Sequence, residues 1–107
     1  MNIEMVRLFD IYSPLLNDRQ REVLNLYYNE DESLSEIAEN VGITRQGVRD
    51  CIVKAEALLK EYESALGLSQ KYKSMVKELE DIVKTASEGG NLPEIINRIK
   101  ALIGSIG

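Results

Sequence analysis

The sequence predicts an all-α fold, and three observations lead to that fold class. Apolar residues recur three or four positions apart along nearly the whole chain of 107 residues, which is the period of an amphipathic helix. No segment of useful length alternates between apolar and polar residues as a half-buried strand does. Only 7 Gly and 2 Pro occur, too few turn-forming residues for a many-stranded sandwich or barrel. We therefore expect about six helices.

The first two helices are separated by a proline. An apolar stripe that begins at Ile3 predicts a helix over the first eleven or so residues. Ser13-Pro14 ends this helix, because the residue before a proline is pushed out of the α region. Either Asn17 or Asp18 is suited to cap the second helix, and the two remain alternatives.

A short third helix and a long fourth helix follow. Ser33 and Glu36 have the spacing of a capping box, which predicts a helix from Leu34 to about residue 40. The next boundaries are marked by Gly42 as a left-handed helix end, by Thr44 as an N-cap, and by Gly67 as the stop of the long helix.

The C-terminal residues predict two more helices. Between residues 72 and 86 the apolar residues lie three or four apart with Lys and Glu between them, which is a heptad-like pattern. Residues 88–91 break this helix, and Pro93 is expected at the first position of the last one. The soft boundary at Gly67 predicts a compact domain over residues 1–67 and a helical extension over residues 68–107, which is expected to serve oligomerisation and not to be an independent domain.

Residues 33–52 have the residue classes and the spacing of a helix-turn-helix. Ala38 is small where two helices cross closely, Gly42 makes the turn, and Ile43 fills the angle between the helices. The other core positions of the pattern are Ile37, Val41, Val48, Cys51 and Ile52. The first domain is therefore expected to be a helix-turn-helix domain.

The second helix of this motif carries the candidate DNA-binding residues on the face opposite its core. They are Arg45, Gln46, Arg49, Asp50 and Lys54. Basic and amide side chains donate to base edges and phosphates, whereas an acid accepts from cytosine N4 and repels phosphate. The alternative for all five is an ordinary solvated surface, and Asp50 and Lys54 also have the spacing of an i,i+4 ion pair.

Three other features have both a functional and a structural interpretation. Gly47 costs about 1 kcal/mol of helix propensity, and it either lets a partner approach closely or is simply tolerated. Cys51 is expected to be an inert core residue rather than a redox switch. Tyr27 and Tyr28 are expected to pack in the core rather than to stack on bases.

The net charge of −5 is spread unevenly. Residues 1–43 carry nine acids against three bases, whereas residues 44–54 carry three bases against one acid. A general nucleic-acid binder is basic over a whole face, because phosphate neutralisation dominates its affinity. Any nucleic-acid contact is therefore expected to be local, within the short basic segment.

The composition excludes several classes of site. There is no His and one Cys, which removes zinc fingers, His-based catalysis and an internal disulfide. We expect no enzymatic activity, cofactor, metal or small-molecule substrate, because no catalytic constellation assembles. No apolar run approaches the ~20 residues of a membrane span, and the start lacks a signal peptide, so a soluble cytoplasmic protein is expected.

Two runs of sequence carry a family resemblance. The run LNDRQREVLNLYYNEDESLSEIAENVGITRQGVRDCIVKAEALL resembles region 4 of bacterial sigma factors and related response-regulator helix-turn-helix domains. With the preceding helix and the following KEYESALGL, the chain is similar to the YlxM family of small DNA-binding proteins. This implies a sigma region 4-like or winged-helix-like domain with a C-terminal two-helix extension, and major-groove contacts by Arg45, Gln46, Arg49 and Asp50.

The resemblance also implies a cellular role. Members of the family are encoded beside the protein component of the signal recognition particle, which implies that they regulate or take part in that pathway. Two functions therefore stay open: a DNA-binding regulatory protein, or a protein- or ribonucleoprotein-interaction module of the pathway that does not bind DNA. The charge balance favours the second and the basic helix face favours the first.

The apolar rows of the last two helices predict an assembly. Residues 95–106 place so many Ile and Leu on one helix that a single opposing helix would not cover them. We expect these helices to fold back on the stem of the fourth helix and to make a homodimer contact as well. The stem residues to be covered are Leu58, Leu59, Tyr62 and Leu66.

Overall fold

The computed structural model describes residues 2–106, and all regular structure in this range is helical. The elements are α1 (Ile3–Tyr12), a 3-10 turn (Ser13–Leu15), α2 (Asp18–Tyr28), α3 (Leu34–Val41), α4 (Arg45–Leu66), α5 (Leu68–Ser87) and α6 (Leu92–Ile106). These six helices, with no strand among residues 2–106, confirm the predicted all-α fold. The chain divides into two compact units, Met1–Ser69 and Gln70–Gly107.

The helices of the first unit begin at the residues that can cap them. Of the two alternatives for α2, Asn17 is the N-cap: its Oδ1 accepts from the Gln20 N–H at 2.8 Å, and the Gln20 side chain accepts from the Asn17 N–H at 3.1 Å. Ser33 and Glu36 form the same reciprocal box at α3. Each box satisfies N–H groups that a helix start leaves without an intrahelical partner, so the sequence sets these starts locally.

The start of α6 differs by one residue from the prediction. Asn91 is the N-cap, since its Oδ1 accepts from the Glu94 N–H at 3.0 Å. Leu92 is therefore the first helical residue and Pro93 the second, so the assignment of Pro93 to the first position is wrong. The shift is harmless because no residue of the first turn needs its N–H for an intrahelical bond.

The core of the first unit lies between α4 and the three preceding helices. Its fully buried members include Tyr12, Val23, Leu24, Ile37, Val48, Ala55 and Leu59. The stem of α4 is covered by α1 and the 3-10 turn: the Tyr62 ring lies 6.0 Å from that of Tyr12, and the Tyr62 hydroxyl donates to the Leu15 carbonyl at 3.3 Å. Leu66 is 53% exposed, so the prediction that it is buried is wrong.

A hydrogen-bond cluster joins the start of α5 to the first unit. The buried Tyr12 hydroxyl donates to the Glu63 carboxylate at 2.6 Å and accepts from the Leu68 N–H at 3.1 Å. The same carboxylate oxygen accepts from the Ser69 N–H at 3.0 Å. Burial, and then the bond to Glu63, raises the pKa of Tyr12, so this hydroxyl keeps its proton. The first compact unit accordingly extends to Ser69.

The second unit is a helical hairpin. Residues 88–91 turn the chain, with Gly89 at φ 77° and the Gly90 N–H donating to the Thr85 carbonyl at 2.8 Å. The Arg98 guanidinium of α6 donates to Thr85 Oγ1 at 3.0 Å and to Glu78 Oε1 at 3.2 Å, both on α5. These contacts show that α6 runs back along α5.

Candidate nucleic-acid interface

The interface begins with the turn that joins α3 to α4. Ile37 and Val48 are fully buried where the two helices meet, and Ala38 is 8% exposed at their crossing. The Ala38 carbonyl accepts from the N–H groups of Gly42 at 2.9 Å and Ile43 at 3.2 Å. Gly42 has a φ of 78°, which is strained for any residue with a side chain. These contacts fix the direction in which α4 starts.

The first turn of α4 explains Gly47. Thr44 is the N-cap, and its Oγ1 accepts from the Gly47 N–H at 3.0 Å. A Cβ on residue 47 would lie 3.2 Å from this same Oγ1 and 3.6 Å from the Ile43 side chain. The glycine therefore leaves room for the cap of its own helix, which is a local role that needs no partner.

The five candidate DNA-binding residues all lie on the exposed side of α4. Arg45, Gln46, Arg49, Asp50 and Lys54 are exposed, and the opposite side of the helix carries the buried core positions. At about 100° per residue, Gln46 and Asp50 lie near the middle of this face, with both arginines on one flank and Lys54 on the other. The face spans the first ten residues of the helix, about 15 Å.

The hydrogen bonds on this face differ from the Asp50–Lys54 ion pair that the sequence spacing allows. The Gln46 Nε2 group donates to Asp50 Oδ1 at 3.0 Å, so the acid bonds to the amide one turn earlier. Among residues 2–106, no acid lies within ion-pair distance of Arg45, Arg49 or Lys54, and the i,i+4 pair of Lys54 with Asp50 does not form. Three cations of α4 are thus available to an external ligand.

A fourth cation lies beside this face and was missed by the sequence analysis. Burial raises the pKa of the half-buried Cys51 thiol, while the charges of Arg19 and Lys54 act in the opposite direction. Arg19, in the first turn of α2, is therefore close to the Lys54 flank of α4, and it is exposed. The RQREVL run was the available signal, since packing α2 against α4 brings its first arginine to this flank.

Acidic side chains occupy the exposed part of α3. Glu36 and Glu39 are exposed, and Glu32 just before the helix accepts a hydrogen bond from the Asn40 side chain. The hydrogen bonds from the Ser33 N–H and hydroxyl group hold the pKa of Glu36 below its ordinary value, so it is ionised at neutral pH. The exposed part of α3 is therefore acidic, whereas the exposed face at the start of α4 carries three bases against one acid.

The two tyrosines of α2 have different environments. Tyr28 is 6% exposed, its ring lies 5.8 Å from that of Phe9, and its hydroxyl donates to Glu56. Burial, reinforced by this bond, raises its pKa. Tyr27 is 37% exposed, so the prediction of core packing is confirmed for Tyr28 and wrong for Tyr27.

Residues 2–106 also have two properties that concern metal ions and membranes. In this range no three His, Cys, Asp or Glu side chains are grouped so that they could hold a metal ion. No helix within the same range has both the length and the apolar character to cross a membrane.

The packing of α2, α3 and α4 around one core, with a left-handed turn before α4, defines a helix-turn-helix protein. Residues 1–99 match the model of the UPF0122 family, described as "Putative helix-turn-helix protein, YlxM / p13 like", and the chain belongs to this family. The sequence resemblance to the YlxM family is thereby confirmed. The family is described as a helix-turn-helix family and not as an enzyme family.

Relatives from several bacteria are similar over most of the chain. A UPF0122 protein of Caldanaerobacter subterraneus subsp. tengcongensis is 47% identical over 78 residues, which cover 73% of this chain and 67% of the relative. A UPF0122 protein of Desulforamulus reducens is 40% identical over 101 residues, covering 92% and 86%. One from Thermoanaerobacter sp. strain X514 is 37% identical over 105 residues, covering 95% and 90%.

Proposed function

We propose that this protein is a DNA-binding helix-turn-helix regulator that reads DNA with the exposed face at the start of α4. The observation that carries the proposal is that Arg45 and Arg49 are both exposed and that neither is paired with an acid of residues 2–106. The opposite side of α4 packs in the core. An arginine in the major groove pairs with guanine O6 and N7 through two hydrogen bonds. These two side chains are the proposed base readers.

The remaining groups on the face have supporting roles. With its Nε2 donated to Asp50, Gln46 presents its amide oxygen as an acceptor, so the pair favours a base that offers a donor. Lys54 and Arg19, on the neighbouring flank, are placed for phosphate oxygens. The N–H groups at the start of α4, beside Thr44, carry the positive end of the helix dipole and favour a phosphate there.

The charge distribution sets the expected strength of binding. Lys54 and Arg19, if each neutralises one phosphate, give a slope of about −2 for the logarithm of the binding constant against that of the salt concentration. The ionised Glu36 and Glu39 on α3 oppose any wider contact with the backbone. Binding is therefore local, weak on arbitrary sequence and dependent on correct bases.

The test is a binding measurement on genomic fragments at two salt concentrations, followed by selection of the tightest fragment. Arg45→Ala and Arg49→Ala are each expected to weaken binding to that fragment by about tenfold to a hundredfold, the effect of one bidentate base contact. Lys84→Ala, an exposed lysine of α5, is the matched control and should bind as the wild type does. Arginine variants that keep the circular dichroism spectrum and bind normally would contradict the proposal.

A second function is favoured by the acidic surface. The exposed carboxylates of α3 and the net charge of −5 suit a basic protein partner better than a nucleic acid. The family resemblance implies that such a partner belongs to the signal recognition particle pathway, which makes the chain an interaction module. Affinity capture from a lysate, with and without nuclease, distinguishes the two: a protein retained after nuclease treatment, without bound DNA, supports this second function.

A further inference from the structure

The second unit exposes a continuous row of large apolar side chains on each helix. On α5 these are Tyr72, Val76, Leu79 and Val83, and on α6 they are Leu92, Ile96, Ile99, Ile103 and Ile106. Their exposed fractions lie between 39% and 66%. The spacing alternates between four and three residues on both helices, which is the repeat of helices that pack side by side.

The two rows lie on the same side of the hairpin. Hydrogen bonds between the helices join Glu78 and Thr85 on α5 to Arg98 on α6, and Ile82 of α5 is buried. Leu79 and Ile99 each follow an inward residue by one position, a rotation of about 100° around the helix. Because the helices are antiparallel, that rotation has opposite senses on the two helices and turns both rows toward one side. The hairpin therefore has one apolar face and one polar face.

The rows are also matched in height along the hairpin. Arg98 bonds to both Thr85 and Glu78, so it lies level with the middle of that segment of α5. Because the helices are antiparallel, residues at the same height are found by counting forward along one helix and backward along the other from this level. The pairs at the same height include Val83 with Ile96, Val76 with Ile103, and Tyr72 with Ile106. The apolar face is thus built of successive layers, each with one side chain from each helix.

We propose that this face is covered by the same face of a second copy of the chain, which forms an antiparallel four-helix bundle. A two-fold axis parallel to the helices places α5 of one copy against α6 of the other, and every layer then receives four side chains. Nine large apolar side chains at roughly half exposure offer on the order of 800 Å² per copy, the share of each partner in a stable protein interface.

Charges at the edges of the face support a second copy as the occupant. Glu80 lies at the outer edge of α5, Lys100 lies at the outer edge of α6, and both are exposed. Within one hairpin these edges are on opposite sides, but the two residues are level with each other. In the proposed bundle Glu80 of one copy meets Lys100 of the other, and the symmetry makes the pair twice. The proposal does not depend on whether α4 binds DNA.

The first test is the mass of the full chain in solution. Sedimentation equilibrium at micromolar concentration is expected to give a dimer. Ile103→Glu puts a charge into the centre of the face and should raise the dimer dissociation constant at least a hundredfold. Asn97→Glu makes the same addition on the polar side of α6 and should leave the dimer intact. The proposal is overturned if the wild-type chain is monomeric or forms an oligomer other than a dimer. It is also overturned if the single substitution Asn97→Glu dissociates the dimer.

The second test uses only exposed edge residues, so it does not depend on a core substitution that fails to fold. Glu80→Lys and Lys100→Glu should each raise the dissociation constant about tenfold, because two attractive contacts become repulsive. The double variant restores both pairs with reversed charges and should dimerise within about twofold of the wild type. The arrangement is overturned if the single variants dimerise as the wild type does. It is also overturned if the losses of affinity of the two single variants simply add in the double variant.

Discussion

In the first unit Val48 and Leu59 of α4 are fully buried, whereas in the second unit Ile103 and Ile106 of α6 are more than half exposed. Among residues 70–106 only Ile82 is a buried large apolar side chain, and Arg98 bonds to α5 between the helices of this unit. A core that is complete within one chain is stable at any concentration. An apolar face that is left open gains its stabilisation only when something covers it. The comparison separates residues that fold the chain from exposed residues that would assemble it in the proposed dimer.

The largest expected difference between the units is the effect of truncating an aliphatic side chain. Leu59→Ala should lower the free energy of unfolding of the first unit by about 3 kcal/mol, because it removes packed methyl groups and leaves a cavity. Ile103→Ala should change the stability of the dissociated chain by less than about 0.5 kcal/mol, as exposed substitutions do. Urea unfolding followed by circular dichroism measures both.

Protein concentration sharpens this test. For Leu59→Ala the loss should be the same at every concentration, whereas for Ile103→Ala it should appear only where the wild type is dimeric. Equal losses for both variants in dilute solution would contradict the division between folding and assembly residues.

Two glycines should respond to alanine with opposite signs. Gly42 in the first unit has a φ of 78°, so Gly42→Ala should lower the free energy of unfolding by about 1–2 kcal/mol, the cost of a left-handed backbone with a side chain. Gly104 is inside α6 with open space around its Cβ position, so Gly104→Ala should raise helix stability by up to about 1 kcal/mol. The shift of the urea midpoint gives the sign of each change in stability. A Gly42→Ala variant that is more stable than the wild type would show that the backbone of the turn can change its conformation.

Helix caps should have similar effects in both units, because a cap acts within one turn. Ser33→Ala at α3 and Asn91→Ala at α6 each remove a side-chain acceptor for a backbone N–H, which costs about 1 kcal/mol. Ser33→Thr and Asn91→Asp, which keep an acceptor, are the controls. If Asn91→Ala left the stability unchanged while Ser33→Ala lowered it, the start of α6 would not be formed in solution.

The smallest expected effect is a pH dependence at α3. The pKa of Glu36 lies below its ordinary 4.5 in the folded chain, so its ionised form stabilises the fold above that pH. This contribution is lost as the pH falls through the folded pKa. Glu36→Gln keeps a capping-box side chain without the titration. Urea midpoints near pH ~6 and pH ~3.5 should converge for the two proteins at the lower pH, and a constant gap would contradict the role of ionisation.

Features set within one turn of chain were predictable from the sequence. The box at Ser33 and the turn at Gly42 lie where expected, and Asn17 is one of the two caps expected for α2, because each depends on residues at most three or four positions apart. The prediction of Pro93 at the first position of α6 failed by one residue because Asn91 is a better cap. Helix phase likewise predicted which side of α4 is exposed, because one side is so strongly apolar.

Features that depend on packing between distant segments were not predictable. Leu66 is more than half exposed at the end of α4, and Tyr27 is 37% exposed while its neighbour Tyr28 contacts Phe9. The approach of Arg19 to Cys51 of α4 depends on how α2 packs against α4, which a single sequence does not encode in any local spacing. The bond of Asp50 to Gln46 rather than to Lys54 is a choice between two equivalent spacings.

The hydroxyl of Tyr12 has a consequence for the order of events during synthesis. Its carboxylate partner, Glu63, follows it by 51 residues, and the backbone group that it accepts from follows later still. At the usual 5–20 residues per second, roughly three to ten seconds separate the making of α1 from the making of its partners. Throughout that interval the residues of α1 that face α4 lack this neighbour, whereas the contact of Phe9 with Tyr28 of α2 forms from residues made sooner. The packing of α1 is therefore completed only after most of α4 has been made.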